Sequence, residues 1–480
     1  MTRRLTLGLD LGTSAVKIVA LDAGGRIAGS GTAPFPTRAE LPGQAEQFPA
    51  DWLLAVARAA AELHRELGAA GRSAIAGIGL AGQLPTLVCL GTDGVLGPAI
   101  TWKDARANSV ATAVVERAGR RRLYERTGMP IDGRYLGPMF RQHWHGRRGE
   151  IATLLSAKDF IGHALTGMRL TDPATAAGYG TYDLVDRVFG AELCNLWELP
   201  RQLLPPIRPS ASLAGSLHAA GAALLDIPEG TPVAVGTADS VAGAYALTGL
   251  REGVVAISTG SSTIILDAVR QLRLDPQSRY LVTPHVAADW YGREMDLLAT
   301  GTGYHWLNGL LGLAPGELDA RAARSVPGAR GLIFAPYLAA GEQGALWNPA
   351  LRGVLQGLAL SHSADDVARA FLEGVCFEIR RCLDVLAETE PTRGIVAAGQ
   401  MFENGSNLQL LADVVNQPVR VFHGASPAAV GAALGAWEAV GAPIAGPDPL
   451  LYSEPLPPAS GASAYDPLYD DYRQRAARCA

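Results

Sequence analysis

Two stretches of the chain share one pattern of apolar and polar positions. Leu7-Gly8-Leu9-Asp10-Leu11 and Val16-Lys17-Ile18-Val19-Ala20-Leu21 flank the turn Gly12-Thr13-Ser14. Val255-Ala256-Ile257-Ser258-Thr259 and Thr263-Ile264-Ile265-Leu266 flank Gly260-Ser261-Ser262 in the same way. Each reads as strand, small-residue turn, strand. Gly12 and Gly260 are 248 positions apart, as are Ser14 and Ser262. That spacing is too long for a solenoid and fits a duplicated domain, each copy opening on a hairpin. Elsewhere apolar runs alternate with helical periodicity. Strands are predicted over 74–80, 87–90, 231–236, 331–336 and 395–398. Helices are predicted over 104–116, with Asp104 as N-cap, and over 240–247, 365–386 and 407–415. Val367, Phe371, Val375, Ile379 and Leu383 line one face of the 365–386 helix. Such alternation predicts an α/β fold, with a lobe boundary near Thr248–Glu252 and lobes of residues 1–248 and 249–480.

Composition narrows the class. Apolar residues make up 48% and charged residues 18% of 480, which excludes a disordered chain. A net charge of −5 leaves no basic footprint for nucleic acid. No apolar run reaches membrane-spanning length. Five cysteines without a C-x-x-C pair fit a reducing, cytoplasmic compartment.

The paired hairpins suggest chemistry. A Gly-Thr-Ser turn exposes backbone N–H groups and hydroxyls that cradle phosphate oxygens. Two such turns facing each other would hold a polyphosphate in a cleft between lobes. One carries Asp10, and an acid beside phosphates calls for a cation, most simply Mg²⁺. Taken singly, each is equally an ordinary hairpin. Asp239 ends an apolar strand and precedes a helix of small residues. There it can be an ionised general base at neutral pH or a plain N-cap; Asp104 and Asp172 share the ambiguity. His143 and His145 in their arginine-rich run read as a solvated helix face. Trp306, spaced with Leu310 and Leu313, reads as core, and so do Cys376 and Cys382.

At these residues the chain resembles the FGGY carbohydrate kinases, and among them the xylulokinases. The anchors are Gly8-Leu9-Asp10-Leu11-Gly12-Thr13-Ser14, Ala81-Gly82-Gln83, Trp102-Lys103-Asp104-Ala105-Arg106, Lys158-Asp159, Thr171-Asp172, Thr237-Ala238-Asp239, Ser258-Thr259-Gly260-Ser261-Ser262, Pro336-Tyr337-Leu338 with Gly341-Glu342, and Leu372-Glu373-Gly374. The resemblance implies two actin-like, ribonuclease-H-like lobes with ATP in the cleft between them. It implies transfer of the γ-phosphoryl group to a small sugar or polyol, most closely a ketopentose such as xylulose. It casts Asp239 as base and Asp10, Gly12, Thr13 and Ser14 as the first phosphate loop, with Asp10 also on Mg²⁺. Gly260 and Ser261 become the second phosphate loop, and Gly399 and Gln400 the nucleotide turn. Gln83, Leu84, Pro85, Trp102 and Tyr135 join Asp239 at the sugar.

Some positions depart from the xylulokinase pattern. Leu84-Pro85 stands for Met-His, Asp239-Ser240 for Asp-Asn, Gly341-Glu342-Gln343 for Gly-Glu-Arg, and Ala397-Ala398-Gly399 for a triple glycine. These substitutions leave other acceptors open: ribulose, glycerol or a sugar acid. A homodimer is also left open. From another class, an actin-like ATP-binding protein without sugar kinase activity is the competing reading.

Overall fold

The computed structural model describes residues 4–477 apart from 315, 340–343 and 349. The segment Gly341-Glu342-Gln343 and Cys479 lie outside the described residues. Two sheets form the frame. In the first, β1 (Leu5–Leu11), β2 (Ala15–Asp22), β3 (Ile27–Pro34), β4 (Ile75–Gly82) and β5 (Pro232–Ala234) lie in the order β3-β2-β1-β4-β5. In the second, β6 (Val254–Thr259), β7 (Thr263–Val269), β8 (Tyr291–Leu297), β9 (Gly394–Ala398) and β10 (Val419–Val421) lie in the order β8-β7-β6-β9-β10. Each sheet begins with three antiparallel strands. Each then adds two strands parallel to the first. The duplication therefore extends well beyond the hairpins. The turns themselves differ by one residue: Leu11 pairs with Val16, whereas Thr259 pairs with Thr263.

The helices follow the same repeat. α1 (Pro49–Ser73) lies between β3 and β4. α2 (Asp239–Thr248) follows β5, α3 (Thr300–Leu310) follows β8, α4 (Ala364–Ala387) precedes β9, and α5 (Pro427–Ala439) follows β10. α2 and α5 hold matching places and cross over to the opposite sheets. Val241 and Ala244 of α2 share a core with Ala256 and Leu266 of the second sheet. α5 lies so close to the first sheet that a Cβ on Gly8 or Gly79 would fall well inside contact with the backbone oxygens of Ala429 and Ala432. Gly431 meets the backbone of Ala242 just as closely, joining α5 to α2. Between β4 and β5 the chain adds several short helices and three strands that join Glu46–Gln47 in a four-stranded sheet; this insertion carries Trp102 and Tyr135.

Three expectations about local structure change. The helix expected from Asp104 starts at Asn108 and runs to Ala118. Asp104 is buried instead, accepting from the Ala45 N–H at 2.9 Å and the Arg106 N–H at 3.0 Å. The run around His143 is not simply a solvated face: Trp144 is buried, and His145 and Arg141 pair with Glu198 at 2.8 and 2.7 Å. Trp306 is 48% exposed and Leu310 64% exposed. The buried stripe of α3 is Thr300, Gly303 and Leu307, where a Cβ on Gly303 would meet Leu338 and Phe371. Cys376 and Cys382 are buried, as expected. Among the described residues no helix is long and apolar enough to cross a membrane.

The close approach of α5 gives a test. Gly79→Ala forces its methyl against a backbone oxygen that cannot rotate away, which costs about 1–3 kcal/mol. Gly435 lies on the same helix with open space around its Cβ direction. Gly435→Ala should therefore leave stability unchanged or raise it by up to ~1 kcal/mol. Urea denaturation of both variants measures the contrast.

Candidate active site

The first hairpin turn follows β1, whose last residues bring Asp10 to the strand end. Asp10 is buried. Its Oδ2 accepts from the Ser426 hydroxyl at 2.9 Å, and its Oδ1 is buried with no hydrogen-bond partner. Ser426 is the N-cap of α5 and also bonds the Ala429 N–H, so one hydroxyl ties the cap of a second-lobe helix to the first-lobe acid. Burial raises the Asp10 pKa, while Lys17 and the Ser426 hydroxyl oppose the rise. Lys17 is its cross-strand neighbour.

The turn after Asp10 is held by residues that local pattern does not reveal. The Gln47 side-chain amide donates to the Thr13 carbonyl at 2.8 Å. Gln47 Oε1 accepts from Trp52 Nε1 at 3.0 Å and from Gln83 Nε2 at 2.7 Å. The Gln83 backbone N–H donates to the Leu11 carbonyl at 2.8 Å. Trp102 Nε1 donates to Thr13 Oγ1 at 3.2 Å. Gln83 and Trp102 are thus joined to the Gly12-Thr13-Ser14 turn through Leu11, Gln47 and Thr13. Gln83 Oε1 is buried without a partner.

Asp239 is placed by the chain's route out of the first sheet. β5 is interrupted at Gly236, which has φ +79°, and the strand resumes as Thr237–Ala238 against β4 before α2 begins. Behind that strand end, buried Lys158 contacts the Val235 carbonyl at 3.0 Å, Asp159 at 2.7 Å and Asp172 at 3.2 Å. Asp172 itself caps the helix Pro173–Ala177. Asp239 is not an N-cap: that place is Ala238, and Asp239 is the first helical residue, accepting from the Ser240 N–H at 2.9 Å. It is not fully ionised at neutral pH as the sequence suggests. Burial, followed by the charges of Asp10 and Asp296, raises its pKa to about 7 against the Ser240 N–H and Lys17.

The remaining residues expected at the sugar spread outward. Leu84 packs on Gly178 and against the core that includes Ala174 and Ala238; Leu84–Pro85 is a cis peptide. Tyr135 is buried, with its hydroxyl 3.5 Å from the Met129 sulfur. A cavity of about 1220 Å³ opens beside these groups, walled by Trp102, Asp132, Arg134, Leu298, Thr302 and Trp306. Asp10, Asp239, Gly260 and Gly399 do not line it, so it lies next to the acids rather than around them.

On the second lobe, three loops converge. A Cβ on Gly399, which has φ +99°, would meet the Thr259 carbonyl, and the Thr259 hydroxyl donates to the Ala398 carbonyl at 3.0 Å. Gly301, at the start of α3, approaches the Gly260 carbonyl as closely, and the Thr302 N–H donates to the Ser261 carbonyl at 3.2 Å. Gly260, Ser261 and Gln400 are exposed. The two lobes' groups meet through Ser426 on Asp10 and through Glu294, whose Oε2 accepts from the Ser240 hydroxyl at 3.0 Å. Ser426, Gln47, Glu294 and Asp296 carry no sequence signal of their own; each reaches the site from a distant part of the chain.

Buried acids, small-residue turns and a neighbouring cavity are parts that phosphoryl transfer uses, and comparison with known proteins agrees. Residues 5–246 match the FGGY family of carbohydrate kinases, N-terminal domain, and residues 255–439 its C-terminal domain. A xylulose kinase of Bacillus subtilis is 28% identical over 439 residues, covering 90% of this chain and 87% of the relative. A gluconokinase of the same organism is 25% identical over 436 residues, covering 86% and 83%. The crystal structure of xylulose kinase from Rhodospirillum rubrum superposes with a TM-score of 0.86 at 29% identity, covering 99% of each chain. The chain is an α/β carbohydrate kinase and belongs to the FGGY family.

Proposed function

We propose that this kinase moves the γ-phosphoryl group of ATP to a hydroxyl of a small sugar or polyol, most closely a ketopentose such as xylulose. The observation that carries the reading is Asp239. It is a half-buried carboxylate at a strand end, beside a second acid with an unpartnered oxygen. The relatives support the class and leave the acceptor open, since their names cover a ketose and a sugar acid. The xylulose kinases among them favour the ketose. In this reading residues 1–248 form the lobe that holds acceptor and base, and residues 249–480 form the nucleotide lobe. The burial of Cys89, Cys194, Cys376 and Cys382 fits a cytoplasmic setting.

The chemistry follows from the groups present. A sugar hydroxyl attacks poorly until its proton has an acceptor, and Asp239 takes that proton. The turns at Gly12-Thr13-Ser14 and Gly260-Ser261 offer backbone N–H groups to the phosphates, and Gly399-Gln400 borders the nucleotide. Gln83, Leu84, Pro85, Trp102 and Tyr135 shape the acceptor end. No group of three or more metal-ligating side chains exists among the described residues. Mg²⁺ commonly binds through one carboxylate together with substrate phosphates, and the orphaned Asp10 Oδ1 fits that role. Bound there, the ion would neutralise charge developing on the phosphates. Lys17 beside Asp10 adds a fixed positive charge on the same strand pair.

Two measurements test this reading. Asp239→Asn keeps the shape and removes the proton acceptor, so kcat should fall by about 10²–10⁴. Because the native pKa is raised to about 7, the wild-type carboxylate is ionised at a cost to stability above that pH. The Asn variant should therefore melt at or above the wild-type Tm at pH 8. For the same reason, wild-type kcat/KM should fall as the pH drops through about 7. Normal turnover by the Asn variant removes Asp239 as base. Separately, Asp10→Ala should weaken Mg²⁺-dependent turnover far more than acceptor binding, read as the Mg²⁺ dependence of kcat against the acceptor Kd by calorimetry. Unchanged Mg²⁺ dependence would remove Asp10 from the phosphate site.

A further inference from the structure

The cavity beside the acids carries positive charge that the transfer step does not use. Its first-lobe wall bears Lys103, Arg120, Arg121 and Arg134 against Asp104 and Asp132. Both carboxylates already hold an arginine. Arg106 Nε lies 3.0 and 2.9 Å from the two oxygens of Asp104, and Arg134 Nε lies 3.1 and 3.0 Å from those of Asp132. Arg121 makes an exposed pair with Glu125 at 2.8 Å. Lys103 and Arg120 are left: among the described residues neither has a carboxylate partner.

Both are unusual in their setting. The chain has three lysines. Lys17 acts on Asp10, and Lys158 bridges Asp159 and Asp172. Lys103 instead lies over the Trp102 ring at 5.2 Å. Partial burial lowers its pKa, and no carboxylate opposes the shift. Arg120 opens the helix Arg120–Thr127, whose first turn holds Arg120, Arg121 and Arg122 and no acid. A helix N-terminus favours negative charge, so three guanidiniums there are a local conflict, and such conflicts are expected at functional sites.

The cavity is also a fixed feature of the fold. The Tyr124 hydroxyl donates to the Tyr280 carbonyl at 2.7 Å and accepts from the Asp275 N–H at 3.1 Å. These bonds fasten the wall that holds Arg120 to the second-lobe wall of Pro276, Gln277 and Ser278. Trp102, Trp306 and Trp347 add flat apolar faces to the same space. Its volume of about 1220 Å³ exceeds the ~300–1,000 Å³ of ordinary small-molecule sites. Gly260 and Gly399 do not line it, so an occupant need not displace phosphates from the second-lobe turns.

We propose that this cavity is a second ligand site, taking a phosphate monoester of a small sugar, with Lys103 and Arg120 as the cations that receive its phosphate and the tryptophans as the surface for its carbon skeleton. It rests on the kinase reading only for one source of such a ligand, since a sugar kinase makes a sugar phosphate. Guanidinium forks match phosphate oxygens, and lysine meets them as a point charge. A neutral sugar would leave both cations unpaired. The enzyme's own product and an ester made elsewhere share this chemistry.

Calorimetry on the full chain, saturated with Mg²⁺ and a non-hydrolysable ATP analogue to keep nucleotide sites filled, tests the proposal. The titrants are ribose 5-phosphate, ribose and inorganic phosphate. Ribose 5-phosphate should bind, inorganic phosphate should bind more weakly, and ribose should not bind over the same concentrations. Lys103→Gln and Arg120→Gln should each weaken the ester by about tenfold, the size of one hydrogen bond to a charged group. The source is read separately: product purified after turnover of xylulose with Mg·ATP either displaces ribose 5-phosphate, which makes the product the occupant, or does not, which assigns the site to an ester made elsewhere. No binding of ribose 5-phosphate, or unchanged binding in both folded variants, would overturn the site. Inorganic phosphate or ribose binding as tightly as the ester would overturn its assignment to sugar phosphates. Failure to turn over any acceptor would remove the kinase reading, while the titrations would still decide the site.

Discussion

The site depends on a single constraint: two helices must approach strands and each other at backbone contact distance. Gly8 and Gly79 admit α5 to the first sheet, and Gly431 admits α5 to α2. Side chains at those three places would push the helices outward. Ser426 caps α5, so its 2.9 Å contact with Asp10 exists only if α5 lies that close. Asp239 opens α2, so its distance from Asp10 is governed by the same packing. The small residues of 238–247 and 427–436 thus hold the two acids in one cleft.

That cleft is electrostatically costly. Asp10, Asp239, Glu294 and Asp296 all have pKa values raised chiefly by burial. Such groups cluster where chemistry is done, and they persist because the surrounding packing is strong enough to carry them. The neighbouring ion network follows the opposite logic. Lys158, Asp159 and Asp172 are buried too, but there one ammonium bridges both carboxylates behind the strand that leads to Asp239. One network supports the strand that leads to Asp239; the other gathers acids whose burial makes ionisation costly.

Much of this was legible in the sequence, and the physical reason is locality. The 248-residue spacing of the hairpins announced a duplicated lobe, and the matched strand orders extend that duplication through five strands on each side. Asp10, Gly12, Gly260 and Gly399 fall at strand ends because strand and turn chemistry are written in neighbouring residues. Contacts between distant segments were not legible. Ser426 is 416 residues from Asp10, and Glu294 is 54 from Ser240. Asp104 resembles a helix cap locally, yet its carboxylate is used by Ala45, 59 residues away. Trp306 has core-like spacing, but Gly303 gives the neighbouring face the closer fit to Phe371, leaving the indole at the cavity wall.

Phosphoryl transfer here turns on whether the two hairpin turns act as one phosphate site presented to Asp239. A crystal structure with a non-hydrolysable ATP analogue and Mg²⁺ tests it most directly. Phosphate oxygens are expected on backbone N–H groups of both turns, at Thr13 and Ser14 and at Ser261, with the metal on Asp10 Oδ1 and the terminal phosphate directed at Asp239. A nucleotide whose phosphates touch only one turn, or point away from Asp239, would contradict it.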